Sequence, residues 1–385
     1  MKFIKILAKT FGFEKLYHKL HDIALKTRGL DVLNTEQTIE FMTRYVLVVV
    51  PENKEMLPEI KNCASPQNLI FYAKQSVSDR LYIWDYKDIA SPAFLSKYGS
   101  VVLQRKVLCT DWMNVSFYKN IWKSDTRFIL AKPTVIALFS HFQDGFFYGG
   151  YFDYVFLVVA KLCRIKDFFP DEDFAHMTIS YPLFNTSYEK DYLNLLDINP
   201  GNIVDSQSMK VVTNRMIVSN CGHWYPNIAD IESLKRHIQK KLQPAKTASN
   251  KVYISRVCRR RILNEDEVVI LLRSFGFIII EDKNRSISEQ ISIYRNASFI
   301  IGPHGASFSN VIWCEPGTQL FEIFSPNYAP DFFLYLASIM KMKYHAYYEG
   351  EPTGNMDFKD AMVENITVSI PKLEQCLREI FNHPA

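Results

Sequence analysis

The clearest alternation of apolar and polar positions lies in the last third of the chain. Val252-Tyr-Ile254 is a short apolar run after a polar stretch, with the length of a buried strand. Asn264 stands where a helix N-cap is expected, and Glu265, Asp266 and Glu267 follow it into the turn where the helix dipole favours carboxylates. Gly276 is placed to stop that helix in a left-handed residue. Phe277-Ile-Ile-Ile280 predicts the next strand, and Ser286-Ile-Ser-Glu289 a capping box opening another helix. A strand at Phe299-Ile-Ile301 leads through Gly302-Pro-His-Gly-Ala-Ser-Phe-Ser-Asn310 into a short helix. Residues 319–324 then read as a strand, 331–339 as a helix and 344–348 as a strand. This order predicts right-handed crossovers and an α/β domain built on a parallel sheet flanked by helices. A last helix is expected after Ser369 and Pro371, set apart by the polar residues 349–365.

The N-terminal part is β-rich and less regular. Apolar runs at 45–50, 81–84, 101–103 and 135–138 predict buried strands. A helix is expected from Tyr151 through Cys163, strand and loop over 194–218, and a lysine-faced helix over 231–242. The polar, Pro-containing stretch 243–250 is the best linker. It divides the chain into a domain over 1–242, a second over 251–368 and a C-terminal helix over 369–385. Residues 2–28 mix seven basic positions with apolar ones, a basic amphipathic helix suited to an anionic membrane surface or to packing on its own domain.

With 385 residues, a prior of about 150 residues per domain gives two or three domains. Hydrophobic residues make up 48% and charged residues 22%, which is globular composition. The 28 Phe, 21 Tyr and 5 Trp against 14 Gly exclude linker-like or collagen-like chains. A net charge of +4 is too small for a general nucleic-acid binder. Seven scattered cysteines without a Cys-x-x-Cys pair argue against a disulfide framework or a zinc site and suit a reducing compartment. No run approaches the roughly 20 apolar residues of a membrane span, and lysines interrupt the N-terminal apolar stretch, so a cytoplasmic location is expected.

In an open parallel sheet, ligands bind beyond the carboxyl ends of the strands. That rule brings Ser255 and Arg256, then Gly302, His304 and Gly305, then the strand end carrying Glu322 to one rim. Arg256 offers a fixed fork for phosphate oxygens. The glycines admit backbone N–H groups to an anion where Ala306, Ser307 and the residues up to Asn310 open a helix. Glu322, 20 residues after Gly302, takes the place of a carboxylate that holds a ribose hydroxyl. Together these form a nucleotide diphosphate site. Singly they are a tight turn, a solvated basic face over 256–261 and a strand-end carboxylate.

Tyr253-Ile-Ser-Arg256, Arg260-Arg-Ile-Leu-Asn-Glu-Asp-Glu267, Glu289-Gln290, Ala297, Ile301-Gly-Pro-His-Gly-Ala306, Asn310, Pro316-Gly317 and Phe321-Glu322 follow one another in order. The succession closely resembles family 61 glycosyltransferases over about a hundred residues. The resemblance implies a GT-B-like fold of two Rossmann-like domains facing across a cleft. It also implies an inverting, metal-independent transfer, with no cofactor beyond a nucleotide-diphosphate sugar such as a UDP-sugar. The acceptor is then a hydroxyl of a glycan or lipid-linked acceptor. By that resemblance Arg256 and Arg260 or Arg261 face the diphosphate. Gly302, His304, Gly305, Ala306, Ser307 and Asn310 border the donor, and Glu322 holds the ribose.

Gly149-Gly-Tyr-Phe-Asp-Tyr-Val155 is similar to a family segment, Asn-Tyr-Tyr-His-Trp-Leu, that opens a helix. Asp153 takes the His place and Gly150 the Asn place. Asp153 is therefore the candidate base, or simply a dipole-stabilised helix carboxylate; His141 and Asp144 are the reserves. His223, in Cys221-Gly-His-Trp-Tyr-Pro226, lines the acceptor side or caps a loop. Asp171-Glu-Asp173 would serve a metal-dependent transferase but reads as a turn entering a helix. A nicotinamide-dependent oxidoreductase lacks its Gly-x-Gly-x-x-Gly here. A non-catalytic nucleotide-binding protein is the third class. The basic N-terminal stretch suggests surface-polysaccharide or lipopolysaccharide assembly at the cytoplasmic membrane face.

Overall fold

The computed structural model describes residues 23–27, 29–73, 76–97, 99–110, 125–138, 150–221, 225–243, 248–354 and 356–382. Of the basic N-terminal stretch only 23–27 is described, as helix; His141, Asp144 and His223 lie outside the described residues. Among the described residues no helix is long and apolar enough to cross a membrane. The fold is mixed α/β, with sheets paired mostly in parallel.

The chain divides into two compact units. The first comprises Met1–Pro51, Arg80–Asn185 and Asp197–Pro226, and the second Glu52–Asp79, Thr186–Leu196 and Asn227–Ala385. The division is not linear. The helix Ile228–Gln239 belongs to the second unit although it precedes the 243–250 stretch. An earlier excursion, Glu52–Asp79, supplies that unit with a hairpin whose first strand pairs at Asn62 with Ala346, some 280 residues further on, a pairing no local pattern encodes.

In the second unit the strands are β1 (Ile60–Asn62), β2 (Ser65–Phe71), β3 (Asn250–Ile254), β4 (Phe277–Ile280), β5 (Ala297–Pro303), β6 (Gln319–Ile323) and β7 (Lys343–Tyr347). They form one sheet in the order β4-β3-β5-β6-β7-β1-β2. Pairing is parallel from β4 to β1, and only the β1–β2 edge is antiparallel. The helices are α1 (Glu265–Ser274), α2 (Ile287–Arg295), α3 (Phe332–Ile339) and α4 (Ile370–Asn382). Leu271 and Leu272 of α1 and Leu373 and Leu377 of α4 share a core with Tyr253, Phe299, Ile301, Phe321 and Tyr347 of the sheet. Ser286 caps α2 by accepting the Glu289 N–H at 3.2 Å, one half of the expected capping box, while the Glu289 carboxylate pairs with Arg285 Nε at 3.2 Å. Gly276, at φ +79°, follows α1, a left-handed conformation that glycine adopts without strain.

Asn264 departs from expectation. Its side chain makes no cap bond to α1 and instead brackets Val368, donating to its carbonyl at 2.8 Å and accepting from its N–H at 3.1 Å. The residues before α4 thereby hold the loop after β3.

The first unit contains two six-stranded sheets. One runs Ile203–Asp205, Thr178–Tyr181, Thr134–Ala137, Arg215–Ser219, Ser76–Lys87 and Val46–Met56, parallel over its first four members. Trp84, Tyr86, Val135, Met216 and Val218 from this sheet and Ala93, Leu95, Val101 and Val211 from the other meet in one core. A buried helical run follows Gly150 from Tyr151 to Lys166, with a wider π-type turn over Val155–Val159. The apolar residues there occupy every face, which excludes a solvent-facing stripe.

Candidate active site

The carboxyl ends of β3, β5 and β6 deliver three groups of side chains to one place. Beyond β3, Arg256 donates through Nε to the Arg259 carbonyl at 2.6 Å and through Nη1 to the His304 carbonyl at 3.3 Å. Arg260 donates through Nε to the same His304 carbonyl at 3.1 Å and through Nη1 to the Met362 carbonyl at 2.5 Å. Two guanidinium groups thus converge on one backbone oxygen. Neither forms an ion pair with a carboxylate among the described residues.

Their charge is unwelcome where it sits. Burial, then the neighbouring Arg256 charge, pushes the Arg260 guanidinium down to about 10. Arg256 is likewise lowered, by burial and then by Arg259. Arg260 also adopts φ +59°, a left-handed conformation that costs a non-glycine residue roughly 1–2 kcal/mol. The supports of this loop come from the end of the polar stretch 349–365 and from Ile366 just after it. The Arg260 N–H meets the Val363 carbonyl, the Arg261 N–H meets Asn365 Oδ1 at 3.2 Å, and Ile262 bridges to Ile366. Arg261 itself is exposed. Of the two alternatives for a partner to Arg256, the structure brings Arg260 to it. The Tyr253 and Ser255 hydroxyls both donate to Glu265 Oε1, at 2.7 and 2.8 Å, which ties the end of β3 to the start of α1.

Beyond β5, His304 is buried, its N–H on the Ile323 carbonyl at 2.8 Å. Its ring lies against Phe333, Phe324 and Tyr328, with centroids 5.2, 5.4 and 5.5 Å away. Tyr328 also lies 5.5 Å from the Arg260 guanidinium, within cation–π range. His304 Nδ1 contacts Glu322 Oε1 closely. The other Glu322 oxygen accepts the Tyr344 hydroxyl at 2.5 Å. Glu322 is fully buried. Its two oxygens face the protein partners His304 and Tyr344. Sequence reasoning missed Tyr344, although a lone Glu within Gln319-Leu-Phe-Glu-Ile-Phe324 required a buried hydrogen-bond partner.

The two glycines act differently. Gly302 lies inside β5, in register with Glu322, and a Cβ there would stand 2.7 Å from the Ile254 carbonyl of β3. Its purpose is strand packing. Gly302→Ala is expected to destabilise the protein by about 1–3 kcal/mol through overpacking, read as a lower urea midpoint; unchanged stability would show that β3 and β5 part freely. Gly305, in extended backbone, instead leaves its Cβ space to the Arg256 guanidinium.

Ala306 and Ser307, both partly buried, begin the 3-10 helix Ala306–Trp313. Asn310 is buried and donates to Gln290 Oε1 at 3.2 Å, joining that helix to α2. In the first unit Asp153 is buried within the helical turn Tyr151–Tyr154, and its Oδ2 accepts the Gly150 N–H at 3.0 Å. That is the bond of a helix N-terminal carboxylate; the π-type turn immediately after it is a feature that recurs at functional sites. Asp171, Glu172 and Asp173 form the exposed first turn of the helix Asp171–Ala175, as the turn reading expects.

Comparison with known proteins places the chain in a family. The family model described as Glycosyltransferase 61 matches residues 16–321. A curated beta-1,2-xylosyltransferase of Arabidopsis thaliana is 31% identical over 86 residues, which span 21% of this chain and 15% of the plant protein.

Proposed function

This chain belongs to glycosyltransferase family 61, and from that premise we propose that it moves a sugar from a nucleotide-diphosphate donor to a glycan or lipid-linked hydroxyl with inversion. One observation carries the reading. Two guanidinium groups, that of Arg260 buried and that of Arg256 partly buried, share the His304 carbonyl and have no carboxylate ion pair among the described residues. A like-charged pair in that state is completed by an anion with several oxygens, and a diphosphate matches the planar forks.

In this reading the two units are the acceptor-side and donor-side halves of a GT-B enzyme. The acceptor hydroxyl gives its proton to Asp153 and attacks the anomeric carbon from the face opposite the nucleotide. The C–O bond to the diphosphate breaks as the new one forms. Arg256 and Arg260 receive the charge that grows on the leaving group, already aimed before the reaction starts. Such donors do without the divalent ion that other transferases use, so transfer is expected to persist in excess chelator. Rescue of a chelated, inactive enzyme by manganese would count against this. The proposed setting is bacterial surface-polysaccharide or lipopolysaccharide assembly at the inner face of the membrane, where the basic residues of 2–28 would meet anionic lipid.

Thermal shift against UDP, GDP, CDP, their sugars and NAD tests the reading. A ligand at 100 times its Kd adds about 2.7 kcal/mol of stability, so one nucleoside diphosphate class is expected to raise Tm and its sugar to be transferred. A response to NAD alone, or to none of them, would overturn the proposal.

A further inference from the structure

Glu322 is a carboxyl at 0% exposure in the middle of a parallel sheet. Its partners are an imidazole nitrogen and a phenol hydroxyl. Neither guanidinium bonds to it, since Arg256 and Arg260 both donate to backbone carbonyls. A carboxylate removed from water without a cation is strongly disfavoured and sheds its charge by taking a proton. The imidazole does not supply the cation. Burial, then the charges of Arg260 and Arg256, hold His304 well below its ordinary range, because a third positive charge beside two is unfavourable. Burial also holds Glu322 well above the usual carboxylate range. The Tyr344 hydroxyl and Arg260 oppose that rise, and Asp331 adds to it.

We propose that Glu322 is a neutral carboxylic acid that donates to His304 Nδ1 and so fixes the imidazole as the tautomer carrying its proton on Nε2. The donors then run in one direction: Tyr344 O–H to one Glu322 oxygen, Glu322 O–H to Nδ1, and Nε2–H onward. His304 Nε2 makes no hydrogen bond among the described residues. Resting on the nucleotide-sugar reading of the site, this makes Nε2–H a neutral donor to a phosphate oxygen. It joins the two guanidinium groups without adding a third charge. Glu322 and Tyr344 are then positioning residues acting through His304. Both lie beyond the 16–321 family match.

The test uses the full chain with ¹⁵N-labelled histidine, free of ligand, and assigns His304 by its loss in His304→Gln. A pyridine-type Nδ1 and a pyrrole-type Nε2 are expected, unchanged from about pH 5 to about pH 8. The charged or titratable groups facing the pair are Arg256, Arg260, Asp331 and Tyr344, with Tyr328 at the ring edge and Cys63 beyond Tyr344. A proton on Nδ1, or on both nitrogens, overturns the proposal. Glu322→Gln offers an amide N–H to Nδ1 and a carbonyl to Tyr344; Glu322→Met offers neither. The Gln variant is expected to keep the spectrum and at least about tenfold more transfer activity than the Met variant. Equal loss in both overturns the proposal, and if Glu322→Met fails to fold, the wild-type and Gln spectra decide. The expected ligand-free spectrum with no response to UDP, GDP or CDP sinks the nucleotide reading alone. The wrong tautomer sinks this proposal alone.

Discussion

Arg256→Gln is expected to lower the transfer rate by about 10²–10³-fold, the usual cost of removing one pre-aimed donor to a developing oxyanion, while the fold stands. Arg256 is held by two bonds to backbone carbonyls, of 2.6 and 3.3 Å, and it contributes to the depression of Arg260. Without substrate its charge is a strain on the unit. Replacing it by a neutral amide relieves that repulsion, so Tm is expected to hold or rise as kcat falls. A gain in stability with a loss of activity is the mark of a group kept for its ligand. Arg256→Lys is not expected to rescue, because an ammonium lacks the planar fork. Thermal melts and steady-state kinetics on the three proteins decide the point. A falling Tm with unchanged kcat/KM would make Arg256 a structural residue.

The sheet that positions these arginines was largely legible. Apolar runs of three or four residues and the helix-end signals at Gly276 and Ser286 place β3, β4 and β5 in order, because buried parallel strands and helix ends both have local signatures. Pairing across long separations was not legible. Cys63 N–H meets the Ala346 carbonyl, and nothing near Cys63 in the chain points to residue 346. The candidate site shows the same limit. Its members could be gathered by the rule that ligands sit beyond strand ends, and Arg256, His304 and Glu322 do meet. Which way each side chain turns depends on partners that the rule does not supply. Arg260 turns inward because Met362 offers a carbonyl, and Arg261 remains outside. Glu322 turns away from solvent because His304 and Tyr344 receive it. In the first unit the segment after Gly150 was recognisable as a helix, but its π-type turn at Val155–Val159 has no composition that separates it from an ordinary buried helix.

Gly305→Ala is expected to lower transfer by about 10²-fold through Arg256 alone. A Cβ at residue 305 would stand 1.7 Å from Arg256 Nη1 and 3.0 Å from Cζ, while the nearest backbone atom, the Pro303 carbonyl oxygen, is 3.7 Å away. Because residue 305 is extended, with φ near −179°, alanine fits its backbone. The only atoms in the way are the tip of a flexible side chain, so stability is expected to change by less than about 1 kcal/mol. The guanidinium, however, must leave its place over the 305 backbone. That mechanism makes a sharper claim than the single variant does. If Gly305 acts by seating Arg256, the double variant Gly305→Ala with Arg256→Gln is no slower than Arg256→Gln, and the coupling energy equals the whole effect of Gly305→Ala. If the two losses add instead, the alanine harms something other than the arginine. Gly305 would then act through its own backbone, by letting N–H groups at the start of the 3-10 helix approach the anion.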